Sequence, residues 1–134
     1  MITVKDNYLS EEEYQALFSV VNSENFPWYF NPYRDYGHER ESNLEAFQFV
    51  HIFYHDDTPT SSLFNHLKPL LSKIKHNTLV RIKLNLNPYS QKLIVGAYHR
   101  DKTFKCKGAI YYLNTNNGYT LFEKGKEKTS SVKN

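Results

Sequence analysis

The 134-residue chain carries 17 Lys and Arg against 14 Asp and Glu, a net charge of +3 with no dense basic block. That balance is too weak to argue for nucleic-acid binding. One cysteine, Cys106, rules out an internal disulfide and a multi-cysteine zinc site, and no apolar run approaches the ~20 residues of a membrane span.

Polar Thr3, Lys5 and Asp6 follow Met1 where a signal peptide would be apolar. The plain expectation is a soluble, cytoplasmic, single-domain protein that contacts neither membrane nor nucleic acid. At 40% hydrophobic and 16% aromatic the chain can build a core, and its Tyr and Phe suit pleated, half-buried surfaces.

Ser10-Glu11-Glu12-Glu13 is a capping box, and Tyr14, Leu17, Phe18 and Val21 recur at helical spacing. The pattern predicts a helix from about Glu11 to Ser23. Pro27, within Phe26-Pro27-Trp28-Tyr29-Phe30, prevents its continuation. Residues 31–43 read as an exposed loop. The stretch from Phe47 to Tyr54 is a strand by composition, with Phe47, Phe49, His51 and Phe53 on one face. Thr60 or Ser61 can cap a second helix through about Lys75, which Pro69 must kink or divide in two. From Leu79 the chain turns to strands. Val80, Ile82, Leu84 and Leu86 alternate with Arg81, Lys83 and Asn85. Leu93–Asp101 and Gly108–Asn114 are two further predicted strands, and Asn117-Gly118 is a tight-turn signal. Tyr119–Glu123 and about Glu127–Val132 form a last pair, turning at Lys124-Gly125-Lys126. Helices followed by antiparallel strands indicate a mainly β, α+β fold.

His99-Arg100-Asp101 carries the chemistry. Residues two apart on a strand share a face, so an imidazole nitrogen and a carboxylate oxygen stand side by side. Those are two of the three ligands of the two-histidine, one-carboxylate triad of non-haem iron(II) oxygenases. His55-Asp56-Asp57 repeats the spacing, but it ends a strand beside Thr58-Pro59, where a turn accounts for it. His51 shares its face with Phe47 and Phe49 and reads as a hydrogen-bonded core histidine. Arg81 and Lys83 read as solvated. His38, His66 and His76 read as surface residues and Cys106 as inert.

Context singles out the first copy. After Asp101 come Gly108-Ala109-Ile110-Tyr111-Tyr112-Leu113-Asn114, the Asn117-Gly118 turn and Thr120-Leu121-Phe122-Glu123-Lys124-Gly125. These blocks resemble, in order and spacing, the prolyl-hydroxylase-like branch of the iron(II)/2-oxoglutarate-dependent dioxygenases, and most closely the small forms encoded by tailed phages. Phe26–Phe30 and Phe49–Tyr54 also look like the phage forms.

The resemblance implies a double-stranded β-helix, jelly-roll or cupin-like, with N-terminal helices packed on one side. Residues 1–78 would be the helical and strand support, and residues 79–134 the first five core strands, at about 80–87, 94–101, 108–114, 119–123 and 127–132. It implies hydroxylation of an unidentified prolyl or other peptidyl substrate, with decarboxylation of 2-oxoglutarate to succinate. His99 and Asp101 match the proximal iron(II) ligands. Tyr112 matches a hydroxyl that reaches the far carboxylate of 2-oxoglutarate, and equally reads as a core aromatic with its hydroxyl at the rim. Asn87 lies near where some relatives place a co-substrate-facing Tyr. The family pattern continues with a second His and a carboxylate-gripping Arg. Here the sequence reaches Ser131-Val132-Lys133-Asn134 with no histidine after His99. The expectation is a C-terminally truncated domain, inactive alone, whose open strand edges favour self-association (phage-encoded, it would act in the host cytoplasm). The competing expectation is a non-catalytic β-fold that binds a partner.

Overall fold

The computed structural model describes residues 2–32, 47–122 and 127–130. Helix α1 spans Glu11–Val21, and both halves of its capping box form. Ser10 Oγ accepts from the Glu13 amide at 3.2 Å, and Glu13 Oε2 accepts from the Ser10 amide at 2.8 Å. Tyr14, Leu17 and Val21 are the buried stripe, as their spacing predicts. The Glu13 carboxylate also takes the Lys73 ammonium, and Tyr8 Oη donates to the Lys73 carbonyl.

The second predicted helix is divided as Pro69 demands. Ser61 caps a 3-10 helix over Ser62–Leu67, and α2 follows over Lys68–Lys73 with the proline in its first turn.

Strands β1 (Tyr29–Asn31), β2 (Gln48–His55), β3 (Thr58–Pro59) and β4 (Arg81–Leu86) form one antiparallel sheet. Strand β2 is central: β1 and β3 pair with its two ends, and β4 runs against most of its length. The β2–β3 connection turns on Asp56 and Asp57, both at positive φ (49° and 57°), as a tight hairpin of this kind requires. The second His-x-Asp is therefore a turn. A register shift between Ile52 and Tyr54 inserts a bulge, so Phe53 and Tyr54 both turn to the helix side. There Ile82 and Leu84 join a core of Leu9, Tyr14, Leu17, Val21, Phe26, Phe53 and Leu67.

His51 lies inside this core at 3% exposure. Its Nδ1 is 2.8 Å from the Pro27 carbonyl and its Nε2 is 2.8 Å from Ser61 Oγ. A carbonyl only accepts, so Nδ1 carries the proton and the Ser61 hydroxyl donates to Nε2. Ser61 Oγ accepts in turn from the Leu63 amide at 3.1 Å. The rings of Phe26 and Phe53 lie 4.7 and 4.6 Å from the imidazole.

Strands β5 (Tyr119–Phe122) and β6 (Glu127–Ser130) form a separate antiparallel hairpin. The fold is α+β and mainly strand, as expected, but two predicted strands are not formed. Residues 93–101 and 108–114 have no ladder partner among the described residues. Apolar and aromatic composition alone does not make a strand: the backbone groups need a neighbour to pair with. In the second segment packing forms without the ladder. Tyr111 and Leu113 pack against the core, and Tyr14 Oη donates to the Leu113 carbonyl at 2.8 Å. Burial, with Tyr14 and Glu13 close by, pushes the Tyr111 hydroxyl up to about 12. The predicted loop beyond Pro32, His38, and the Lys124-Gly125-Lys126 turn lie outside the described residues.

Two expectations follow for stability. Ser61→Ala removes a helix cap and the hydroxyl that satisfies buried His51. It should cost about 1–2 kcal/mol, read as a lower urea midpoint at unchanged slope. The Lys73 hydrogen bond, then that of the Ser10 amide, holds the Glu13 carboxyl below its ordinary 4.5. A depressed carboxyl stabilises the fold above its unfolded pKa and loses that contribution as pH falls through the folded value. Glu13→Gln should therefore lower the melting temperature near about pH 7 and make little difference near about pH 2. Equal effects at both would separate Glu13 from the acid sensitivity.

Candidate metal site

Strand β4 separates two environments. Ile82 and Leu84 face the helices, and the alternate residues Arg81, Lys83 and Asn85 face the other way. Across the ladder they stand opposite His55, Ile52 and Val50. Arg81 reaches out from this second face, and its Nη2 lies 3.3 Å from Asp101 Oδ1. The pairing places Asp101 beside the first residue of β4.

His99 Nε2 is 3.7 Å from the same Asp101 Oδ1. His99 Nδ1 is 3.1 Å from the Ala97 carbonyl, and that carbonyl can only accept, so Nδ1 carries a proton and Nε2 is the nitrogen left to meet a cation. A backbone carbonyl on the far nitrogen is how ligating histidines are commonly oriented. Two donors bound to one divalent ion at ~2.1 Å in adjacent octahedral positions stand ~3 Å apart. The pair is thus some tenths of an ångström too wide. Side-chain exposures of 43% for His99 and 73% for Asp101 leave room for small rotations to close it. The donor set therefore fits an iron(II) ion in two of its ligands.

One feature opposes a ready-made centre. The Arg81 guanidinium occupies the carboxylate oxygen that a cation would use. Among the described residues, no group of three or more His, Cys, Asp and Glu side chains could hold a metal ion. His99 and Asp101 lie near each other on the protein surface.

Of the expected co-substrate contacts, Tyr112 is half-buried, and its hydroxyl is 2.6 Å from Thr120 Oγ1, joining residues 108–114 to β5. Asn87 is exposed just beyond β4. An open cleft of about 380 Å³ nearby is lined by Phe47, Pro88, Tyr89, Ser90, Gln91, Lys92 and Ile94, and contains none of the candidate ligands.

Sequence reasoning misplaced Arg81 and Lys83. Arg81 is 21% exposed and ion-paired, and Lys83 is half-buried. Desolvation, then the like charge of Arg81, pushes the Lys83 ammonium down, while Asp101 opposes the shift. The available signal was their alternation with Ile82 and Leu84, which put both cations on one face. Cys106 is exposed and unpaired with another cysteine.

No family model matches the chain, nor does any curated protein or solved structure. No described helix is long and apolar enough to cross a membrane.

The Tyr112 pairing is open to a direct check. Tyr112→Phe deletes a half-buried hydroxyl contact and should cost about 1 kcal/mol in chemical denaturation. An unchanged midpoint would release Tyr112 from a structural role.

Proposed function

We propose that the chain is part of an iron(II)/2-oxoglutarate-dependent oxygenase domain built on a double-stranded β-helix. It would hydroxylate an unidentified substrate, peptidyl or prolyl by resemblance. The observation that carries this reading is His99 Nε2 beside Asp101 Oδ1, with His99 Nδ1 on a backbone carbonyl. The ordered blocks around Ile110-Tyr111-Tyr112-Leu113-Asn114 and Asn117-Gly118 support it.

Bound iron would supply activation of dioxygen and, with 2-oxoglutarate, the oxidative chemistry. This chain's residues hold and orient. His99 and Asp101 are the two ligands, and the Ala97 carbonyl keeps the imidazole in the ligating tautomer. Tyr112 and Asn87 are the proposed co-substrate contacts, Tyr112 exchanging its Thr120 partner for a carboxylate oxygen. The third ligand in this reading is the second histidine of the family pattern, which no residue after His99 supplies. Exposed Leu93, Val95, Tyr98, Phe104 and Ile110 are the surface through which the isolated chain would self-associate.

A second reading, a non-catalytic interaction module, is favoured by the Arg81 guanidinium on Asp101. Anaerobic titration of the 134-residue chain with iron(II), or with manganese(II) followed by paramagnetic resonance, separates the two. The oxygenase reading expects weak binding that His99→Ala and Asp101→Ala each abolish, without succinate formation, because two protein ligands leave the triad incomplete. Light scattering on the same sample reports association. Metal binding that is absent, or indifferent to His99→Ala, would make the interaction module the better description.

A further inference from the structure

The net charge of +3 conceals an uneven distribution. Residues 1–79 carry eleven Asp and Glu against six Lys and Arg; residues 80–122 carry seven Lys and Arg against one acid, Asp101. Five of the seven, Lys92, Arg100, Lys102, Lys105 and Lys107, fall between residues 92 and 107, and all but the half-buried Lys102 are exposed. Asp101 does not offset them in full, because its carboxylate already faces Arg81. Large apolar side chains stand between and beside these cations. Leu93, Val95, Tyr98, Phe104 and Ile110 are each more than half exposed. The backbone that presents them, residues 87–118, has no ladder partner among the described residues. Cations and apolar groups exposed together on one segment are the two components of attachment to an anionic bilayer surface.

We infer that residues 92–110 form a peripheral docking surface for an anionic lipid bilayer. The apolar side chains enter the boundary between headgroups and acyl chains, and the lysine stems lie along them with their ammonium groups at the headgroup level. Lys102 already holds this arrangement: its Nζ lies 6.0 Å from the centroid of the Phe104 ring. The same contact favours lipid over single-stranded nucleic acid. A base stacks on the bare face of an aromatic ring, whereas an ammonium stands over Phe104, and Leu93, Val95 and Ile110 offer no ring at all. Backbone groups without ladder partners need water or headgroups, so the contact stops at the interface and does not enter hydrocarbon. Neither the low net charge nor the want of a spanning segment bears on such a contact. The surface rests on exposure and charge and is independent of the proposed oxygenase chemistry. Its apolar set is the one through which the isolated chain would self-associate, so bilayer and second copy compete for it.

The 134-residue chain is co-sedimented, in chelator-containing buffer, with phosphatidylcholine vesicles with and without phosphatidylserine. Binding should require phosphatidylserine and weaken as added salt screens the surface. Each Lys or Arg near an anionic surface is worth about fivefold in partition, so Lys105→Gln with Lys107→Gln should weaken binding about thirtyfold. Phe104→Ser should weaken it about tenfold or more by removing the inserted ring. All three side chains are exposed, so an unchanged urea midpoint certifies the fold of each variant. Phe104→Trp adds a gain of signal: its emission should shift to the blue, and be quenched by brominated acyl chains, only where phosphatidylserine is present. Equal binding to neutral vesicles, or binding indifferent to Lys105 and Lys107 or to Phe104, would overturn the surface. Displacement from the vesicles by oligodeoxythymidylate at equal phosphate would overturn the lipid assignment in favour of nucleic acid. Self-association without vesicle binding would overturn it in favour of a second copy. Because metal is chelated throughout, failure of the iron titration would leave this result intact.

Discussion

His51 holds together three segments that sequence separation would otherwise leave independent. Its Nδ1 proton fixes the carbonyl of Pro27, just after Phe26 enters the core, and its Nε2 fixes Ser61 at the start of the 3-10 helix. The ring itself sits on β2 between Phe26 and Phe53. A polar ring at 3% exposure is tolerable because both nitrogens have partners. Losing either would leave a desolvated donor or acceptor at a cost of about 1–3 kcal/mol. The Pro27 carbonyl requires the Nδ1 proton, the Nδ1 proton requires a Ser61 donor, and Ser61 in turn orders Leu63. The tautomer is therefore imposed by the fold.

From that node the sheet acquires two unlike faces. The bulge between Ile52 and Tyr54 sends both Phe53 and Tyr54 toward the helices, where Tyr54 meets Phe64 at 5.7 Å. Without it, strict alternation would turn Tyr54 outward beside Arg81 and Lys83. One extra residue thus thickens the apolar side and leaves the far side to charge. The helices are tied beneath by Glu13, which serves the cap of α1 and the end of α2 at once.

On the charged side, Asp101 is contested. One oxygen faces both His99 Nε2 and the Arg81 guanidinium, and these demand different things of it. With Arg81 it is half of an exposed ion pair, an interaction usually worth 1 kcal/mol or less. With His99 it would be half of the proposed metal-ligating pair. A weak, exposed ion pair is easily exchanged, so the same carboxylate can hold Arg81 and serve as that ligand. Its place on a segment without a ladder leaves the backbone free to follow.

Much of the framework was legible in the chain because its signals are local. The Ser10–Glu13 box, the division at Pro69, the buried face of β2 and the turn at Asp56-Asp57 each depend on residues within a few positions of one another. His99 and Asp101 lie 3.7 Å apart, but on a segment without a ladder, so the strand geometry that predicted their shared face does not account for it. What the tertiary structure alone decided is pairing. Residues 93–101 and 108–114 have the apolar and aromatic composition of strands, yet a ladder needs a partner strand that composition cannot name. Arg81 and Lys83 read as solvated because their outward face could be assigned only once β4 lay against β2 and Asp101 lay over it. The sequence by itself determined which residues share a face; the fold determined what each face meets, because charge and burial depend on neighbours that are distant along the chain.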